Sequence, residues 1–115
     1  KEKSITFAGN VPEGYMAKLM KPEIDMLIEG AGEAAKGIHK SNSNQALGLV
    51  VSCVGRKIIM DQLIDEELEE VADILGDNVH LTGFYSYGEM APFSHDALKC
   101  ELHNQTMTLT VIYEE

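Results

Sequence analysis

A chain of 115 residues with 44% hydrophobic and 24% charged side chains has one domain's length and enough apolar content to bury a core, so it is not a disordered segment. A net charge of −10 argues against a nucleic-acid partner, because phosphate contacts come from clustered Lys and Arg. The charge is also unevenly placed. Residues 1 to 57 carry eight bases and six acids, whereas residues 58 to 115 carry Lys99 as their single base and thirteen acids.

Two cysteines, Cys53 and Cys100, are too few for a disulfide scaffold and point to a reducing compartment. No run of about 18 apolar residues and no basic-then-apolar leader occurs, so no membrane contact is expected of this segment. The chain starts at Lys1, which fits a domain cut from a longer protein.

Ile5 and Phe7 alternate with Ser4 and Thr6, the period of a half-buried strand. Val11-Pro12-Glu13-Gly14 reads as a turn, and Tyr15 to Met20 as the returning strand of an edge hairpin. Pro22, Glu23 and Asp25 suit the first turn of a helix that continues through Ile38 on an apolar stripe. Gly30, Gly32 and Gly37 weaken that helix, and a face of Gly and Ala lying close on a sheet is the expected compensation. Ser41-Asn42-Ser43-Asn44 is a loop by composition.

Leu47 to Val54 is almost continuously apolar, which predicts a central strand covered on both faces and paired in parallel, ended by Gly55-Arg56. A second helix is expected over Asp65 to Leu75, with Gly76 as its stop and Glu66, Glu67, Glu69, Glu70 and Asp73 as a solvated face. Val79 to Tyr87 is the next strand and Gln105 to Tyr113 the last. The 17 or so residues between them have no clear period, and connections of that length are usually functional or mobile. These elements predict a single α+β domain over residues 1–115: one mixed β-sheet of about five strands with two crossover helices, in the order β-β-α-β-α-β-β.

If the two long strands are parallel and the last is antiparallel, three polar clusters meet at one sheet edge: Cys53 to Arg56, Tyr85 to Glu89, and His103 to Thr106. Ligands of open α/β sheets bind outside the carboxyl ends of strands. The candidate ligand-binding residues are therefore Arg56, Tyr85, Tyr87, Glu89, His103 and Asn104. Arg56, the only arginine, could grip a ligand carboxylate or pair with Glu89 or an acid of the second helix. Tyr85 and Tyr87, at strand spacing, could line a pocket, or one could be core with its hydroxyl at the rim. Glu89 could meet a ligand amine or hold the long connection through backbone amides. His103 could be a base, a metal ligand or a hydrogen-bonded structural histidine.

A metal site would combine Cys100 and His103 with Cys53 or His95, but a single Cys-x-x-His pair lacks the second pair of a structural zinc site, and no metal or cofactor is expected. A Cys53–His103 nucleophile pair is disfavoured because Leu49-Val50-Val51 places Cys53 in apolar surroundings. The helix glycines miss the spacing of a phosphate-binding loop.

Taken together, Val11-Pro12-Glu13-Gly14, Ser52-Cys53-Val54-Gly55-Arg56, Gly83-Phe84-Tyr85-Ser86-Tyr87-Gly88-Glu89 and the stretch from Cys100-Glu101-Leu102-His103-Asn104-Gln105-Thr106 to Leu109 resemble the C-terminal part of a FIST domain, an intracellular sensory module. The resemblance implies a cytoplasmic, non-enzymatic input domain of a bacterial signal-transduction protein, such as a sensor histidine kinase of a two-component system, a diguanylate cyclase or a chemoreceptor. It implies a small ligand such as an amino acid, and as partners an N-terminal FIST half and an output domain. A module that docks against that half without any ligand is the alternative. The family supplies no catalytic residues to carry over.

Overall fold

A computed structural model describes residues 3–7, 10–39, 45–92 and 99–114. The expected loop at Ser41 to Asn44, His95 and part of the long connection lie outside the described residues.

The first regular element is helix α1, Ile24–Lys36, with Asp25 in its first turn and Lys36 in its last, both favourable to the helix dipole. Strand β1, Ala46–Cys53, follows. Helix α2, Val54–Met60, a 3-10 turn at Asp61–Leu63 and helix α3, Ile64–Leu75, then carry the chain over to strand β2, Val79–Ser86. Short strands β3, Glu89–Pro92, and β4, Cys100–His103, precede the last strand β5, Met107–Tyr113.

The main sheet has the order β2-β1-β5, with β1 parallel to β2 and antiparallel to β5. A parallel pair needs a crossover, and α2 and α3 provide it. β3 and β4 form a separate antiparallel ribbon. The α+β class, the mixed sheet and its parallel centre are as the sequence predicts, but that sheet has three strands rather than about five, and β3 and β4 form within the stretch expected to be a long connection.

Three expectations are corrected. Residues 3–7 and 10–22 contain no strand, so the N-terminal hairpin does not form and α1 is not a crossover helix. A turn is present there, one residue later than expected: Tyr15 N–H donates to the Pro12 carbonyl at 3.3 Å. The residues on either side of it find no sheet to join among the described residues, and an isolated two-stranded hairpin is marginal in water. Next, β1 ends close to Gly55-Arg56 as expected, but these residues lie in the first turn of α2, a helix that the sequence pattern does not predict. Cys53 Sγ accepts from Gly55 N–H at 3.4 Å, and a Cβ on Gly55 would come within 3.2 Å of the Gln105 side-chain amide.

The third correction concerns β1 itself. Ala46, Gly48, Val50 and Ser52 are buried beneath the helices, but Leu47 is exposed and Leu49 and Val51 are half-buried. By register, Leu47 shares its face with His80 and Ile112, and Val51 with Phe84 and Thr108. Leu47, Phe84 and Ile112 are all exposed, so one face of the sheet is bare of covering elements among the described residues.

The core lies on the other face, where Ala31 and Ala35 of α1 and Val71 of α3 meet Val50 and Met107. The Gly-Ala face of α1 does permit a close approach, though toward α3 rather than the sheet alone. A Cβ on Gly32 would stand 2.6 Å from Glu70 Oε1 and 3.2 Å from Ile74 Cδ1. The helix cost of glycine is thus offset by helix–helix contact.

Candidate functional site at the carboxyl edge of the sheet

The three polar clusters do converge. β1 and β2 run in parallel register to Cys53 and Ser86, and Met107 of β5 lies opposite Ser52. Cys53 N–H donates to the Thr106 carbonyl at 3.0 Å, tying the end of β1 to the approach to β5. The side chains then sort into two groups flanking the last residues of β1.

The first group is a buried ionic network. Arg56 Nε lies 3.3 Å from both carboxylate oxygens of Glu67, and its Nη2 donates to the Leu27 carbonyl of α1 at 2.7 Å. Ser52 Oγ donates to Glu67 Oε1 at 2.9 Å. Arg56, Glu67 and Ser52 are all buried. This is the pairing with an acid of the second helix, and it joins α2, α3, α1 and β1 in one place. It also corrects the reading of Glu67 as part of a solvated face. Glu67 is only 1% exposed, and it precedes buried Val71 by one helical turn, so it belongs to the inward stripe of α3.

Beside the network, a cavity of about 180 Å³ opens between α3 and β2, lined by Ser52, Glu67, Leu68, Leu81 and Tyr85 among others. Lys57 Nζ stands 4.7 Å from the centre of the Tyr85 ring. Burial, and then the Glu67 and Asp65 carboxylates, push the Tyr85 hydroxyl above its ordinary value of 10.0, against the opposing pull of Arg56. A raised phenol pKa means the folded state holds the proton more tightly than the unfolded one. Stability contributed by this group is present below the ordinary tyrosine range and is lost as pH rises through the higher folded value. Ultraviolet titration is expected to show a wild-type tyrosine that ionises above the ordinary value and is lost in the Tyr85→Phe variant.

The second group centres on Glu89, which sits opposite His103 in the β3–β4 ribbon. Glu89 is 1% exposed; its Oε2 accepts from Thr106 Oγ1 at 2.9 Å, while its Oε1 is buried with no hydrogen-bond partner among the described residues. His103 Nε2 is 3.0 Å from the Ala91 carbonyl. His103 and Thr106 border a broader groove of about 610 Å³ between α1 and β5, which Met90, Pro92, Thr108 and Glu33 also line.

Of the six candidates, Arg56 and Tyr85 fall in the first group and Glu89 and His103 in the second. Asn104 lies exposed in the β4–β5 connection, and Tyr87, just past the end of β2, is 90% exposed and lines neither cavity. Sequence reasoning missed Ser52 and Glu67 as site residues. The signal for Glu67 was its helical spacing from Val71 together with a lone arginine in need of a carboxylate. Among the described residues, no three His, Cys, Asp or Glu side chains are grouped to hold a metal ion, and no helix is long and apolar enough to cross a membrane.

Compared with known proteins, residues 1–92 match the family model of the FIST C domain, from the N-terminal segment through β3. The chain belongs to the FIST C domain family. This is a sensory-type domain family. No curated protein and no solved structure matches the chain. The matched span takes in the whole of the Ser52–Arg56–Glu67 network and Glu89, whereas β4, β5 and the stretch from Cys100 to Leu109 that contributed to the resemblance lie beyond it.

Proposed function

We propose that this FIST C domain is a cytoplasmic input module of a bacterial signal-transduction protein, such as a sensor histidine kinase, and that it binds a small polar ligand carrying an amine, an amino acid for example. The module itself is not an enzyme; it passes ligand occupancy to an output domain. The observation that supports this reading is the Glu89 carboxylate, almost fully buried and with one oxygen lacking a donor. A buried carboxylate oxygen without a partner costs on the order of a few kcal/mol, and an ammonium group is a donor of opposite charge that removes that cost. Thr106 holds the other oxygen in place, and Thr106 and His103, the residue opposite Glu89 in the ribbon, line the groove beside α1, while Glu89 itself does not.

Arg56 is engaged by Glu67 and Leu27 in this arrangement, so a ligand carboxylate would be met by other donors. Thermal melting against a panel of amino acids, simple amines and simple carboxylates tests the proposal. A true ligand at a hundred times its dissociation constant adds about 2.7 kcal/mol of stability. Amine-bearing compounds are expected to raise the midpoint and amine-free carboxylates to leave it unchanged, and Glu89→Gln is expected to abolish the rise. A panel without any shift would defeat the ligand reading.

The bare sheet face supports a second reading, a docking module with no ligand. Leu47, Phe84 and Ile112 present apolar side chains on one face, and such patches mark sites where another protein surface packs. On this reading the companion is the N-terminal FIST half. Its addition, not that of any small molecule, would then raise the melting midpoint.

A further inference from the structure

Residues 3–7 and 10–22 form an arm outside the fold. Its large apolar side chains Ile5, Phe7, Tyr15, Leu19 and Met20 are exposed, Ile5 at 80% and Phe7 at 61%. The radius of gyration, 16.1 Å, exceeds the roughly 13 Å of a compact chain of this length, as a projecting arm requires. Yet Ser4-Ile5-Thr6-Phe7 has the alternation of a strand with one apolar face. A strand-like segment is left without a sheet.

The fold carries the complementary deficiency. Among the described residues β2 pairs with β1 alone, so its outer edge presents unpaired backbone groups. Natural sheets guard such edges with lysine, proline or a covering element, and the eight residues of β2 (Val-His-Leu-Thr-Gly-Phe-Tyr-Ser) include neither residue. The cavity between β2 and α3 opens along that edge, with Leu68, Leu81 and Tyr85 in its walls. A strand laid on the edge would turn alternate side chains toward that cavity.

Charge favours the same pairing. Residues 1 to 22 carry Lys1, Lys3, Lys18 and Lys21 against Glu2 and Glu13. Helix α3, which forms the other wall, carries Asp65, Glu66, Glu67, Glu69, Glu70 and Asp73 and no base, and only Glu67 of these is used by Arg56. A basic, apolar arm thus matches an apolar groove beside an acidic helix, Glu67 being the one acid in the lining of the cavity itself.

We infer that two copies of this chain exchange N-terminal arms, the Ser4–Phe7 segment of each adding a strand to the free edge of β2 in the other and seating Ile5 and Phe7 in the α3–β2 cavity. Within one chain the arm and the edge both stay open, whereas a reciprocal exchange closes both at once and gives a self-complementary two-fold interface.

Sedimentation velocity of the full chain over a wide concentration range tests this. A monomer–dimer equilibrium is expected, weakening as salt is raised. The arm variant Ile5→Asp with Phe7→Asp, whose positions lie outside the fold, is expected to raise the dimer dissociation constant at least about tenfold, or about 1.4 kcal/mol. The groove variant Leu68→Lys is expected to do the same. Mixing the two variants restores one intact arm–groove pair and is expected to give dimer at concentrations where each variant alone is monomeric. A wild-type chain that stays monomeric at all concentrations overturns the inference, even if the Ser4–Phe7 amides are protected from exchange, since that would be pairing within one chain. A dimer indifferent to the arm variant overturns it as well, and that arm result stands even if Leu68→Lys disturbs folding.

Discussion

Arg56→Ala is expected to lower the stability of the domain by about 3–5 kcal/mol, the usual cost of removing one partner of a buried ion pair. The size follows from what the substitution leaves behind. Glu67 would keep the Ser52 hydroxyl as a hydrogen-bond donor but lose its counter-charge, and the Leu27 carbonyl would lose the donor that links α1 to the crossover. In a domain of this size about 1 kcal/mol corresponds to about 4 °C, so the melting midpoint is expected to fall by roughly 12–20 °C. Glu67→Ala is expected to cost a similar amount, and the two losses combined should fall well short of their sum because the residues act as one unit. Replacing the pair with apolar residues, Arg56→Met with Glu67→Leu, is expected to recover much of the loss, since the pair also bears the cost of desolvating two charges. A fall of less than about 1 kcal/mol in Arg56→Ala would mean that the pair behaves as an exposed one.

Gly83→Ala is expected to cost about 3 kcal/mol or more. A Cβ at this position would collide with the Val50 carbonyl oxygen and lie 2.9 Å from its carbon. Both atoms are backbone of the central strand, so neither can rotate away, and relief requires β1 and β2 to part at Val50 and Gly83, which lie opposite each other in register. Gly48→Ala provides the control. Its Cβ would meet Leu81 Cδ2 at 2.6 Å, the end of a flexible side chain at the rim of the cavity, and the expected cost is about 1–2 kcal/mol. Urea denaturation measures both, with an unchanged slope identifying a loss of stability rather than a change in the unfolded state. Equal costs for the two substitutions would show that the closeness of β2 to β1 at Gly83 is not what that glycine provides.

Much of this architecture was legible because local pattern and tertiary role agree. The stripe of α3 ending at Gly76 and the alternation of Met107, Leu109 and Val111 with threonines each report a single burial environment, and both elements were found within a residue or two; the apolar run placed β1 as closely but did not foretell its exposed face. The convergence of Cys53, Tyr85 and His103 at one edge followed from strand direction alone. Helix α2 was not legible, because a glycine one position inside a helix start carries the same local signal as a turn. The close neighbour of that glycine is Gln105, 50 residues away in the chain. The N-terminal hairpin failed for the opposite reason: its strand pattern is real, but a strand forms only against a partner, and residues 3–7 and 10–22 pair with none of the described strands of their own chain.

Composition, period and motif by themselves determined the class of fold, the central place of β1, the acidic second half and the FIST C resemblance that the family match bears out. They could do so because each depends on residue type and spacing along the chain. Only the tertiary structure decided the partners of the polar residues. Arg56 had Glu89 and several acids of α3 within the possibilities of the sequence, and the packing of α2 against α1 and α3 selects Glu67. The tertiary arrangement also leaves Glu89 buried with one oxygen that has no partner among the described residues, and one sheet face that none of them covers. Hydrogen-bond pairing and burial are set by distances in space, and no local spacing encodes those.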